Sequence, residues 1–594
     1  MWSMRPSKFF FVLISAFSLG QFATCSKYDN QIFNISLNGD SSISLHWMID
    51  YQQKVLSFEI HLPDKFGWFA FGFSDRGDSF PADYCLLWES SSWKNSKKFD
   101  LKDVWANDAG VIELDRHQDC NNFRFKIIRN VVKFTFKRKF DTCDNRDYII
   151  QDGTTHIVWS RGLEHIVAPN GLNISTTIRE NFGMIRVNLL KNLKAHSQLP
   201  SHVQVLDLLT DKVQVPNEET TYWCKVFKLP ESFRRKHHIY QYEANIESTS
   251  QGLVHHMEIF HCETSAMEKI PLYNGNCFGE DRPEKTQVCK RVLAAWAMGA
   301  QPFTYPEEAA LPLGGNKFNP YVMLEIHYNN PELKSGVIDS SGVRFYVSDK
   351  LKEMDAGVIE LGLEYTDKMA IPPGQESFSL TGYCISSCTS VGLHNEGITV
   401  FGSQLHTHLT GVRVHTRHFD AYGKELPELD RDNHYSTHFQ EIRRLKRPVK
   451  VLPGHILMTR CDYNTLSRTN VTLGGFSISE EMCVNYIHYY PHAPLEVCKS
   501  SISDQALRTF FNYMKEWEDQ PTSPNAAISI NYNSIHWSKV RVQLLNEVYH
   551  EAPLSMQCNM SSGDRFPGYW DNAPLPSVLL PLAPPARNCQ FDDK

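Results

Sequence analysis

Polar and apolar residues alternate with a period of two along most of this 594-residue chain, and turn residues break the pattern at short intervals. Runs such as Ser44-Leu-His-Trp-Met-Ile, Leu56-Ser-Phe-Glu-Ile-His-Leu, Gly67-Trp-Phe-Ala-Phe-Gly-Phe, Val131-Val-Lys-Phe-Thr-Phe and Thr155-His-Ile-Val-Trp each send alternate side chains to one face. Across residues 28 to 190 this spacing predicts an antiparallel β-sandwich. A linker is expected near Ser197 to Val203. Strand-like runs resume just after Thr221 and continue to about Val497, punctuated by Ile371-Pro-Pro-Gly and Leu452-Pro-Gly-His. Helical spacing is scarce until Asp504 to Glu518, and the tail from Ala573 is proline-rich and expected to be extended. No repeat of fixed period is present. The fold class is therefore all-β, with a short, partly helical C-terminal extension.

A chain of this length exceeds one core and implies about three to five domains. Residues 1 to 25 read as a secretory signal peptide: Arg5 and Lys8 are basic, Phe9 to Leu19 are apolar, and Ala23 to Cys25 form a small-residue exit. The apolar run is too short to span a bilayer, and no later stretch reaches the roughly 18 apolar residues of a membrane helix. The polar end Asn588 to Lys594 is not a lipid-anchor signal. Of fifteen cysteines, Cys25 lies at the cut, and the remaining even number reads as disulfides. Asn34, Asn173, Asn470 and Asn559 each head an Asn-x-Ser/Thr glycosylation acceptor. These features place the chain in the secretory pathway, secreted or in a vesicle or reticulum lumen. The net charge of −7, without clustered basic residues, argues against a nucleic-acid partner.

Four strand-like stretches carry metal-ligand residues: Leu253-Val-His255-His256-Met-Glu-Ile-Phe, Leu324-Glu-Ile-His327-Tyr, Leu405-His406-Thr-His408 and Glu480-Glu-Met482-Cys-Val-Asn-Tyr. On a strand, the His-x-His pair sends both rings to one face. Imidazole binds zinc, copper and iron alike, whereas a thioether favours Cu(I). Two imidazoles with Met482 therefore argue for copper. Zinc hydrolysis is disfavoured because no Asp closely follows His406-Thr-His408. Adjacent His255 and His256 pose a geometric problem, since neighbours on a regular strand face opposite ways. Either the strand is twisted there or only one of the two is a ligand. His237-His238 follows Arg234, Arg235 and Lys236, a flank that disfavours a cation. His434 and His438 read as members of a polar loop.

Val254-His-His-Met-Glu-Ile-Phe, Glu325-Ile-His-Tyr, Gln404-Leu-His-Thr-His-Leu-Thr-Gly, Asp432-Asn-His-Tyr-Ser and Glu481-Met-Cys-Val-Asn-Tyr-Ile-His-Tyr-Tyr-Pro together resemble the copper type II, ascorbate-dependent monooxygenases. The likeness runs from about residue 40 to residue 570. Phe71-Gly-Phe-Ser-Asp-Arg-Gly and Phe140-Asp-Thr-Cys-Asp resemble a DOMON domain. After the signal peptide read over 1–25, the resemblance implies a DOMON-like β-sandwich over 28–190. Two jelly-roll-like copper domains would follow over 204–352 and 353–500, then the extension 501–594.

It also implies two coppers per chain. His255, His256 and His327 match an electron-transferring copper, and His406, His408 and Met482 match an oxygen-binding copper. Tyr489 matches a tyrosine near the second. Ascorbate would reduce the coppers, and O2 would hydroxylate the benzylic carbon of a small aromatic amine, with Glu258, Glu360 and Asp432 the carboxylates near the matched motifs. A non-catalytic copper-binding protein and a peptide hydroxylase are the alternatives. The family pattern implies Cys143–Cys589, Cys224–Cys277, Cys262–Cys289, Cys384–Cys498, Cys388–Cys558 and Cys461–Cys483. Cys85 and Cys120 depart from that pattern and are expected to pair with each other. Glu516 to Asn525 lacks the cysteines that link subunits in part of the family, so any homodimer would be non-covalent.

Overall fold

The computed structural model describes residues 31–38, 42–93, 96–174, 181–191, 199–298, 300–330, 332–583, 587 and 589. The expected signal peptide and the first two residues of the expected linker, 197 and 198, lie outside them. The architecture is three successive β-sandwiches with a few helices near the C-terminus, as the period-two pattern dictates.

The first sandwich packs a five-stranded sheet on a six-stranded one. Its strands show the expected alternation, with every second residue of Val55–Pro63 buried. Phe58, Phe69, Phe71, Phe73, Phe134, Phe136 and Trp159 fill the space between the sheets. The Trp68–Ser74 strand is buried on both faces, because Trp68 and Ala70 join a second cluster with Tyr84 and Ile112 behind the sheet. Such a strand reads as a continuous apolar run rather than an alternation.

In the second sandwich, the sheet of strands Thr220–Lys228, Tyr321–Asn329, Val254–Cys262 and Cys289–Ala297 packs on another built around His237–Asn245 and Gly342–Ser348. In the third, the sheet Arg443–Val451, Ile398–His406, Val484–Tyr490, Gly357–Leu363, Leu495–Ile502 faces four strands that include Gly411–Phe419 and Ile456–Tyr463. The helix Asp504–Glu518 lies where the spacing predicts it, with Leu507, Phe510, Phe511 and Met514 buried and the Ser503 hydroxyl accepting from Ala506 N–H. The segment from residue 501 is not a separate appendage. Its Leu554–Met560 strand returns to pair with Leu495–Ile502 and completes the third sandwich.

Seven disulfides join the described cysteines. They are the six pairs implied by the family pattern and Cys85–Cys120. Cys143–Cys589 ties the first sandwich to the C-terminal tail. The second and third sandwiches meet through Phe303, whose ring is 4.9 Å from that of His488 and stacks on Phe401. Asn34, Asn173 and Asn470 are exposed, whereas Asn559 is half-buried in the returning strand.

Candidate metal centres

His255 and His256 both point into one cluster because their strand is irregular. Val254 opposes Tyr328 and His256 opposes His327, so His255 is an extra residue bulged out of the ladder. A bulge re-aims the side chain it carries, which lets adjacent histidines face the same way. The potential ligand nitrogens of His255, His256 and His327 all lie within 4.8 Å of one another. His256 Nδ1 is 3.2 Å from His255 Nδ1 and 3.3 Å from His327 Nδ1. Burial depresses all three rings, His255 to about 4, His327 to about 3 and His256 well below the ordinary range; repulsion from His438 adds to it at His255, and repulsion from His255 adds to it at His327 and His256. At neutral pH they are uncharged and offer lone pairs. Three uncharged imidazoles with nitrogens this close together fit a soft or borderline cation. The Tyr222 ring stacks flat on His327 at 4.5 Å.

The second cluster forms where the Ile398–His406 strand ends. Tyr435 hydroxyl accepts from Thr407 N–H, and the chain leaves the sheet there, so His408 is presented by a turn and not by the strand. The His406 and His408 rings lie 5.3 Å apart and perpendicular. His406 Nδ1–H donates to Gln440 Oε1 at 2.6 Å, and His408 Nδ1–H donates to the Glu480 carbonyl at 3.0 Å. Both Nε2 atoms are thereby left with lone pairs, since the acceptor at one nitrogen fixes the proton there. Burial holds both rings neutral, His406 at about 3 and His408 below its usual value.

Met482 is brought to the same place by Glu481. That carboxylate, fully enclosed, accepts from His408 N–H (2.9 Å), Thr410 N–H (2.6 Å), Thr410 hydroxyl (2.7 Å) and Met482 N–H (3.3 Å). Tyr463 hydroxyl donates to the Met482 carbonyl, and Cys461–Cys483 fixes the next residue. The His408 and Met482 segments therefore share one buried anchor, while His406 is held separately by Gln440. The two clusters face each other across the sandwich interface, close enough that His406 and His408 repel protonation of His256.

Between them lie carboxylates and phenols. Glu258 sits directly opposite Glu325 on the neighbouring strand and faces Glu360 from the third sandwich. Burial first, and these two acids second, push Glu258 up to about 8. Lys499 ammonium bonds Glu360 at 2.6 Å, so Glu360 already has a counter-ion. Asp432 lies elsewhere and is spent on Thr154 and Arg443.

Tyr489 is a correction. It is 1 % exposed in the core of the third sandwich, and its hydroxyl is used by the backbone of Ala493. Tyr486 is the tyrosine on the histidine face, its ring 6.2 Å from His406 and its hydroxyl 3.4 Å from that of Tyr365. Register explains the difference. Val484 opposes His406, and Tyr486 shares that face while Tyr489 points to the other. Counting by twos from Met482 finds it. His438 is also misread as a loop bystander: its Nδ1 lies 3.4 Å from His255 Nε2. His237 and His238 are not ligands here. They are engaged by the Arg235 carbonyl, Asp355 and Lys352 N–H.

A buried three-imidazole cluster in the second sandwich lies near a His406–His408 pair in the third, and donors of this type are those that hold redox metals. Family models match as follows: the copper type II ascorbate-dependent monooxygenase N-terminal domain over residues 206–335, its C-terminal domain over 354–511, and the DOMON domain over 39–162. The chain belongs to the copper type II ascorbate-dependent monooxygenase family. It is 41% identical to dopamine beta-hydroxylase of Rattus norvegicus, over 94% of this chain and 88% of that protein. It is 38% identical to tyramine beta-hydroxylase of Caenorhabditis briggsae, over 89% and 88%. Identity to DBH-like monooxygenase protein 1 of Mus musculus is 32%, over 88% and 85%.

Proposed function

We propose that this chain hydroxylates the benzylic carbon of a small aromatic amine, using O2 and ascorbate, with one copper at His255, His256 and His327 and a second at His406, His408 and Met482. The observation that carries this reading is the convergence of three neutral imidazoles facing the segment where Glu481 holds His408 beside Met482. Copper at these donors supplies one-electron redox chemistry and the activation of dioxygen, the thioether favouring the reduced ion. Overall, one C–H bond becomes C–OH, the second oxygen atom leaves as water, and two ascorbates each give one electron. No side chain is needed as a general base.

The chain's own residues bind and orient. Glu258, which burial and the neighbouring acids keep protonated at about 8 in the free site, ionises to take the substrate ammonium by charge-assisted hydrogen bonds. It has no cation of its own among the described ion pairs, whereas Glu360 is already neutralised by Lys499. Tyr365 and Tyr486 wall the same space. Gln440 and the Glu480 carbonyl hold the protons of His406 and His408 away from the ligand nitrogens. Seven disulfides and the exposed glycosylation acceptors support a lumenal or secreted location, and no described helix is long and apolar enough to cross a membrane. The test is a substrate screen on purified, copper-loaded protein with ascorbate. Oxygen uptake matched by hydroxylated phenylethylamine supports the reading, and copper binding without turnover on amines or glycine-extended peptides supports the non-catalytic alternative.

A further inference from the structure

The loop from Asn433 to Ile442 joins two strands of the third sandwich, yet its middle touches both metal centres. Gln440 holds His406, and Tyr435 and Thr437 bond the Thr407 carbonyl between the two histidines. His438 reaches across the domain interface to His255, their rings 5.6 Å apart and at right angles. His255 Nδ1 faces the other two imidazoles, so its Nε2 carries the proton when Nδ1 is a ligand. Ligating imidazoles characteristically donate that remote N–H to an acceptor, and the acceptor beside this one is His438 Nδ1.

Both ends of the loop are held by the DOMON domain. At one end, Asp432 accepts from Thr154 N–H (3.0 Å) and hydroxyl (2.7 Å), Asn433 bonds Gln151 (2.6 Å), and the His434 ring lies on Tyr148 at 4.5 Å. At the other, Asn188 donates to Glu441 (3.3 Å) and Asp152 pairs with Lys446 (2.7 Å). The approach is close enough to demand glycine at Gly153, where φ is +112° and a Cβ would lie 2.7 Å from Arg443 and 2.9 Å from Asp432.

Resting on the two-copper reading, we propose that His438 is a positioning residue of the three-histidine centre, and that the DOMON domain acts on both centres by clamping the loop that presents it. The domain thus has a role in the reaction without touching copper or substrate.

The experiment compares His438→Phe, which keeps a ring without an acceptor, His438→Gln, which restores one, and Thr154→Val in the DOMON domain. Each is made in full-length protein carrying His408→Ala, so that copper at the three-histidine centre is read alone by chelator competition and by Cu(II) electron paramagnetic resonance. The expected result is copper affinity about 10- to 100-fold lower in His438→Phe, with changed hyperfine splitting, and recovery in His438→Gln. Thr154→Val, which is remote from both centres, shifts affinity and spectrum in the same direction by less. A folded His438→Phe protein with unchanged affinity and spectrum overturns the positioning role, and an unchanged Thr154→Val spectrum overturns the role of the DOMON domain. Wild-type chain that binds no copper overturns the two-copper reading as well, and is distinguished by that result alone.

Discussion

Glu481 is the anchor on which the second centre depends, and removing its carboxylate has a cost that can be worked out. In Glu481→Ala, the His408 and Thr410 amides lose bonds of 2.9 and 2.6 Å in a site closed to water. A buried donor left without a partner costs about 1–3 kcal/mol, so the two together cost about 2–6 kcal/mol. The 3.3 Å bond from Met482 N–H adds little, and the Thr410 hydroxyl is free to rotate. Glu481→Gln differs because it keeps one oxygen. Turned so that this oxygen serves His408 and Met482, its amide faces Thr410, whose hydroxyl accepts. One unpaired N–H remains, at about 1–3 kcal/mol. Since a domain is stable by about 5–15 kcal/mol, both variants fold but Ala is much the weaker. Denaturant unfolding of the copper-free proteins reads the order wild type, Gln, Ala, and copper analysis reads loss of the second metal in Ala alone. Equal midpoints for all three, with both coppers retained, would refute the anchoring argument.

Other consequences are separable. Met482→Ala retains copper at the three-histidine centre and loses turnover, read by metal analysis and oxygen uptake; full activity removes Met482 from the mechanism. Glu258→Gln raises the amine KM by about 10- to 100-fold, the worth of a charged hydrogen bond of about 1.5–3 kcal/mol, and lowers kcat less. Tyr489→Phe costs stability and leaves the rate per folded molecule unchanged, whereas Tyr486→Phe changes the rate; the reverse pattern restores Tyr489 to the site. In the DOMON core, burial first and repulsion among these acids and Asp83 second raise Asp103 to about 9, Asp115 to about 7 and Asp147 to about 6, around the buried guanidinium of Arg138. Acids raised above their unfolded values favour the protonated folded state, so this stability is complete below the unfolded value of about 4 and is lost progressively as pH rises to the folded values of about 6, 7 and 9. The DOMON melting temperature therefore falls from pH 5 to pH 8, and Asp115→Asn flattens the slope.

What the sequence made legible was local or period-based. The alternation at Val55–Pro63 and the helix at Asp504–Glu518 follow from side-chain spacing. The donor set follows from residue type, and its grouping from resemblance. The bulge at His255 has no such signature, because nothing in Val254-His-His marks an extra residue until the partner strand is known. Tyr489 and Tyr486 are equally plausible until register sets which face is which. The loop carrying His438 looks polar and solvent-bound because its partners lie in domains more than 180 residues away in sequence. Likewise the Leu554–Met560 strand returns to its sheet across three helices, so a boundary drawn at residue 500 divides one sandwich.

The central claim is that two imidazoles and a thioether hold one reduced copper while three imidazoles hold another. X-ray absorption on ascorbate-reduced, copper-loaded protein tests it most directly. Two coppers per chain, with a sulfur scatterer on one that disappears in Met482→Ala while the imidazole signal of the other persists, is the predicted result. A reduced protein whose copper shows no sulfur neighbour, or whose spectrum is identical in Met482→Ala, would contradict it.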